Sequence, residues 1–411
     1  MKSETAAAFS LLSAQAVRER AQRMLTIGLD DKLPHFQIDL RRLHETVDLV
    51  VDTTRHNYPS LVVPFHSRWR HFVFNGDDRW AAIDKKANWR DAASRARAAF
   101  DLAVVSVLLD AGAGPQWHYR DPATGRSVGH SEGLALASLD MFVRGIFSSN
   151  PDDPLRADAE GLMRLSDASV GDGLQVSGSN PLVGMAGRAD LLRRLGALVA
   201  AKPDIFGRND TPRPGSLFDH LATLTTKHEI AAATILSELL HYLGPIWPSR
   251  LTLGGVPLGD CWRHPALRTA DATSELVPLH KLSQWLAYSL IEPLQWGGIS
   301  VSDIDGLTGL AEYRNGGLFV DTGVLAFRDP ADAARQHDVA APLVVEWRAL
   351  TVALLDKLAD AMRHRLNMDE KSLPLAKALE GGTWSAGRII ASKLRSDGSP
   401  PIKVVSDGTV F

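Results

Sequence analysis

Glu312, Tyr313 and Arg314 sit in a stretch, residues 299–325, that sets acids, an Arg, a Tyr and repeated Gly among Leu, Val and Ile. A core segment excludes charge, and a solvated loop excludes so much aliphatic surface. The mixture therefore predicts an apolar cavity wall with a few polar groups fixed in it. A carboxylate, a phenol and a guanidinium are groups for proton transfer and anion binding, so this wall is the expected active site.

A second group precedes it. Lys281, Gln284, Tyr288 and Glu292 fall at i, i+3, i+7 and i+11, one face of a helix expected over residues 276–292. Leu279, Leu282, Leu286 and Leu290 line the apolar face, and Pro293 is expected to end it. A third is the arm from Arg55 to Phe72, where His66, Arg68, Arg70 and His71 alternate with aromatics and prolines. It reads either as an anion-binding arm or as a solvated edge.

Gly129-His130-Ser131-Glu132-Gly133 spells the nucleophile-elbow motif. An elbow needs a buried strand and a parallel sheet, and the chain lacks the β–α alternation for either. Ser131 is instead expected to cap a helix over residues 133–147, leaving Glu132 at the helix start as a pocket residue. Gly184 to Arg188 opens another helix, which reads as an anion site or as a plain loop.

The positioning elements are mostly helical. Apolar three- and four-residue spacing predicts helices over 5–26, 38–54, 92–110, 151–166, 217–243 and 342–366. Residues 117–120 and 126–128 predict a small hairpin. Asp305 is expected to cap a short helix through Tyr313, with Asn315-Gly316-Gly317 as a tight turn, giving helix, hairpin, helix. Further turns are expected at Gly381-Gly382 and at Ser406 to Thr409.

The totals bound the class. The chain has 411 residues, 45% hydrophobic and 23% charged, with a net charge of -3. That is a globular composition without the basic face that nucleic acid requires. The one cysteine, Cys261, excludes an internal disulfide and any cysteine-based zinc site. No His, Asp and Glu spacing forms a metal signature, so neither metal nor cofactor is expected. No apolar run reaches a membrane span, and the expected location is the cytoplasm. A single domain over 1–411 is expected, with a possible internal boundary in the Pro- and Gly-rich segment 202–216. Oligomeric state is not legible.

Two resemblances follow from particular residues. Pro64 to Phe72, Ser131-Glu-Gly-Leu134, His280 to Trp285, Gly306 to Gly317 and the terminal Ser406 to Phe411 resemble the fungal and bacterial family linked to the ribosylurea route of uracil catabolism. Lys281 followed by Ala311-Glu312-Tyr313-Arg314 is similar, with Glu for Asp, to the queuosine-salvage N-glycosidases, whose fold is like that of helix-hairpin-helix DNA glycosylases. Together they imply a mainly α, glycosylase-like protein that hydrolyses a ribosyl N-glycosidic bond of ribosylurea or its 5'-phosphate. Glu312 would activate water, with Tyr313 and Lys281 as catalytic partners. Arg314, His66, Arg68, His71, Trp117, Ser131, Glu132 and Tyr288 would bind the small-molecule substrate. A phosphorylase, or a non-catalytic nucleotide-binding or scaffold protein of the same pathway, are the alternatives.

Overall fold

A computed structural model describes residues 2–207, 211–247 and 251–405. The turns expected at 406–409 and part of the 202–216 segment lie outside the described residues. The architecture is mainly α. Among the described residues the strands are two or three residues long and meet only in two-stranded pairs, with no closed sheet.

Two compact units share the chain. The first takes the described chain up to His66, the stretch from Leu251 to Gln284, and Asp303–Val405; the second takes Ser67 to Trp247 and Trp285–Ser302. Neither is a continuous stretch.

The first unit is organised on the helix Pro342–Leu366, whose bounds match those expected from its apolar stripe. Leu343, Trp347, Leu350, Leu354, Leu358 and Met362 are all buried. Pro342 opens the helix where its missing N–H costs nothing, and Asn367, at φ 53, closes it in the left-handed region. Ala14–Leu29 and Leu43–Asn57 pack along it. The single helix expected over 5–26 is broken, because Ser13 accepts the Ala16 N–H and starts a new helix at Ala14. Phe36–Ile38, at the start of the helix expected over 38–54, is instead extended and pairs antiparallel with Leu325–Phe327.

In the second unit, Ala92–Leu108 is buried along most of its length, and His130–Val143 packs on it. The expected hairpin is present as His118–Arg120 against Ser127–Gly129. Two expected helices are shorter than their apolar spacing suggested. Residues 151–166 contain only Ala159–Met163, started by the Asp158 cap. Residues 217–243 divide into Leu217–Thr223 and Ala232–Tyr242, because Lys227 and His228 take positive φ and turn the chain into a strand, Glu229–Ala231. Residue 202 onward to 216, where described, lies within this unit.

Candidate active site

The stretch around Glu312 does not form helix, hairpin and helix. Asp303, at φ 47, leads into a single 3-10 turn, Ile304–Gly306. Asp305 caps nothing there; it accepts the Leu375 N–H at 2.6 Å and pairs with Arg363. The helix Tyr313–Asp321 then contains Asn315, Gly316 and Gly317, which were expected as a turn. These glycines answer a close approach, not a bend. A Cβ on Gly316 would lie 2.6 Å from the Trp347 ring, and one on Gly317 would lie 3.0 Å from Pro401.

Glu312 is the N-cap of that helix. Its Oε1 accepts the Asn315 N–H at 2.5 Å and its Oε2 accepts the Arg314 N–H at 2.7 Å. Burial pushes its carboxyl above the ordinary range, while the two N–H bonds and the charges of Lys281 and Arg314 pull it back. Each carboxylate oxygen carries two lone-pair sites, so one on each remains for a further donor such as water. The chemistry open to this group is that of a rigid, partly desolvated base.

Lys281 begins the helix Lys281–Trp296, not the expected Leu276–Glu292, because Leu276–Pro278 is a strand paired with Cys261–Arg263. Two ties within the first unit hold the start of this helix. Asp260 accepts the Lys281 backbone N–H at 2.9 Å while both its oxygens meet Arg348 at 2.8 Å, and Arg348 Nε also donates to the Ala311 carbonyl at 3.3 Å. Gln284 exchanges hydrogen bonds with Thr308, its Oε1 accepting the Thr308 N–H at 3.0 Å. Lys281 and Glu312 are thus held on elements joined to each other through buried polar groups. Burial would push the Asp260 carboxyl up, but Arg348, the Lys281 N–H and the Trp262 N–H bring it down to about 2.

Arg314 donates to the Gly398 carbonyl at 2.7 Å and its guanidinium stands over the Tyr313 ring at 5.5 Å. His66, also in the first unit, sets Nδ1 2.7 Å from Glu380 Oε2, whose other oxygen accepts the Tyr58 hydroxyl at 3.0 Å. Glu380 belongs to a π-helical segment, Leu379–Thr383, where a turn was expected at Gly381-Gly382.

The remaining expected site residues belong to the second unit and have protein partners there. Arg68 is fully buried: Nε donates to Ser106 Oγ at 2.7 Å, and Nη1 lies 3.0 Å from Asp110 and 3.1 Å from Ser131 Oγ. Burial pushes its guanidinium below the ordinary range, against the pull of Asp110 and Glu132. Ser131 caps nothing, since Gly129 holds the N-cap position without a side-chain bond. Its Oγ donates to Asp110 at 2.6 Å, with His71 Nδ1 at 3.0 Å. A nucleophilic serine hands its proton to imidazole; here the nearer acceptor is a carboxylate and a guanidinium stands against the same oxygen.

His71 packs its ring on Trp285 at 5.6 Å. Trp117 is a core side chain whose N–H bonds the Leu174 carbonyl at 2.9 Å, and Tyr288 is buried. Arg188, an anion-site candidate, is buried too and donates to the carbonyls of Leu109, Ala111, Gly112 and Val183, closing the end of Ala92–Leu108. Burial brings its guanidinium down to about 10. Pro293 lies inside its helix, not at its end; the Ser289 carbonyl that loses the N–H of residue 293 accepts the Trp69 indole N–H at 2.7 Å. Among the described residues no group of three or more His, Cys, Asp or Glu is placed to hold a metal ion, and no helix is long and apolar enough to cross a membrane.

Sequence reasoning missed Asp260, Arg348 and Glu380, whose partners are far away in the chain. The signal available was weak: an Asp beside Cys261, an Arg interrupting the apolar face of residues 342–366, and a Glu before two glycines.

This arrangement defines an α-helical protein with a buried, capping carboxylate within the electrostatic reach of a lysine. Residues 10–411 match the family described as "Protein of unknown function (DUF1688)". The chain is 41% identical over 421 residues to Protein urg3 of Schizosaccharomyces pombe (strain 972 / ATCC 24843), covering 100% of both. It is 36% identical over 433 residues to Uracil catabolism protein 4 of Lachancea kluyveri, covering 97% of this chain and 98% of the relative. The chain belongs to this family, the one its motifs resemble.

Proposed function

We propose that the protein is a cytoplasmic N-glycosidase of uracil catabolism that hydrolyses ribosylurea or its 5'-phosphate to urea and ribose or ribose phosphate. The observation that carries the reading is Glu312: a buried carboxylate fixed by two backbone N–H groups and placed within the electrostatic reach of Lys281 and Arg314. The name of the Lachancea kluyveri relative supports the pathway. Residues 1–411 act on this reading as one glycosylase-like domain, since neither compact unit is a continuous stretch.

Breaking a ribosyl C–N bond builds positive charge on the anomeric carbon. A carboxylate fixed beside that carbon stabilises the charge without reorganising, and its remaining lone pairs orient water for attack. Lys281 holds the 5'-phosphate when the substrate carries one, and Tyr313 and Arg314 bind the sugar side.

The test is incubation of the purified protein with UMP, uridine, ribosylurea and ribosylurea 5'-phosphate, with and without inorganic phosphate. Release of urea and free ribose or ribose 5-phosphate without added phosphate supports the hydrolase. Strict dependence on phosphate identifies a phosphorylase. Binding without release of any sugar identifies the non-catalytic protein.

A further inference from the structure

Glu380 is a further carboxylate of the first unit, paired with an imidazole and a phenol. The π-helical turn that carries it, Leu379–Thr383, is pressed against the helix Leu43–Asn57. A Cβ on Gly382 would run into the Val50 carbonyl, and one on Gly381 would lie 2.9 Å from Thr54 Cγ2. A π turn costs hydrogen-bond geometry and recurs at functional positions. Here it turns Glu380 toward His66 and Tyr58, with 2.7 Å from Oε2 to His66 Nδ1 and 3.0 Å from the Tyr58 hydroxyl to Oε1. The His66 backbone is fixed as well, its N–H donating to the Ala376 carbonyl at 2.9 Å.

The same turn reaches the Glu312 helix. Thr383 Oγ1 donates to Asn315 Oδ1 at 2.9 Å, and the Asn315 N–H is one of the two that hold the Glu312 carboxylate. One backbone turn therefore anchors a carboxylate–imidazole pair and the cap of the proposed base. A purely structural ion pair needs no such link, and a hydrolase acting on a urea glycoside needs an acid, because a urea nitrogen leaves poorly as an anion.

We infer that His66 is the general acid for this reaction and Glu380 the positioning residue that fixes its ring; the inference rests on the hydrolase reading above. In the imidazolium form that an acid requires, Nδ1–H donates to Glu380 and the Nε2 proton is the one transferred. As the anomeric C–N bond breaks, its electron pair stays on the urea nitrogen, which takes the Nε2 proton. Water adds its oxygen to the anomeric carbon and gives its proton to Glu312. The products are urea and the free sugar, and solvent returns a proton from Glu312 to His66.

The experiment compares ribosylurea with a 4-nitrophenyl riboside of the same phosphorylation state, whose leaving group needs no acid. For His66→Gly the expected result is a loss of about a hundredfold or more in kcat/KM on ribosylurea. The nitrophenyl compound shows a far smaller loss, or added imidazole partly restores the ribosylurea rate. Glu380→Gln, close in size and shape, should give a smaller loss with the same selectivity, and it serves if His66→Gly does not fold. No loss, or a loss that neither imidazole nor the better leaving group relieves, overturns the inference and leaves the hydrolase intact. A wild-type protein that turns over neither substrate overturns both.

Discussion

Arg348 and Asp260 meet end-on, each guanidinium Nη 2.8 Å from one carboxylate oxygen, and the same carboxylate takes the backbone N–H of Lys281. The pair ties the start of the Lys281 helix to the helix Pro342–Leu366, and through Arg348 Nε to the chain just before Glu312. Removing Arg348 leaves a buried carboxylate without its counter-charge. Arg348→Ala should lose about 3 to 5 kcal/mol of stability by denaturant unfolding. A loss below about 1 kcal/mol would show that the pair is not holding the site.

The pH dependence of stability follows from the same residue. Asp260 is held at about 2 against an ordinary value of 3.8. A carboxyl depressed in the fold contributes stability that is complete above its ordinary value and is lost as pH falls through the folded one. Wild type should lose that contribution between about pH 4 and pH 2. Asp260→Asn, already without it, should show a flatter stability profile over the same window; equal slopes would remove Asp260 from the account.

These two residues also show what was legible. The helix Pro342–Leu366 was readable because an apolar stripe at helical spacing is a local signal. Arg348, buried on that helix, was not, because its meaning lies in Asp260, 88 residues away. The glycines at 316 and 317 misled for a related reason: they signal a turn locally, whereas here they admit Trp347 and Pro401. Ser131 spelled a motif, and only the positions of Asp110 and Arg68 show where its proton goes. Glu312 and Lys281 were singled out from composition, spacing and resemblance; that Glu312 caps the helix Tyr313–Asp321 was not legible.

Gly387 tests the packing behind the site. A Cβ there would run into the Arg314 carbonyl oxygen, which is backbone and cannot swing aside. Gly387→Ala should cost roughly 1 to 3 kcal/mol and also reduce turnover, since the displaced segment includes the cap on Glu312. Unchanged melting temperature and turnover would contradict the close approach.

Cys261 is fully buried among Ala8, Leu11, Leu258 and Leu276, and burial pushes its thiol far above the ordinary range. Native protein should resist a thiol-specific reagent and react once unfolded in denaturant. Rapid labelling of folded protein at neutral pH would contradict this.

The activity profile carries the sign of the Glu312 shift. A base must be ionised, and burial raises this carboxyl while Lys281 and Arg314 lower it. Activity should therefore fall on the acid side at a pH above the ordinary glutamate value of 4.5. Lys281→Met removes one lowering charge, so its acid limb in kcat/KM should move to higher pH. A limb that stays in place or moves down would separate Lys281 from Glu312.

The most direct measurement is the turnover of ribosylurea and its 5'-phosphate by Glu312→Gln, alongside circular dichroism of the same preparation. The helix cap retains one acceptor oxygen in this variant, so the protein should remain folded. Turnover should fall by about a hundredfold or more. A folded variant with near-normal turnover would contradict the assignment of Glu312 as the catalytic base.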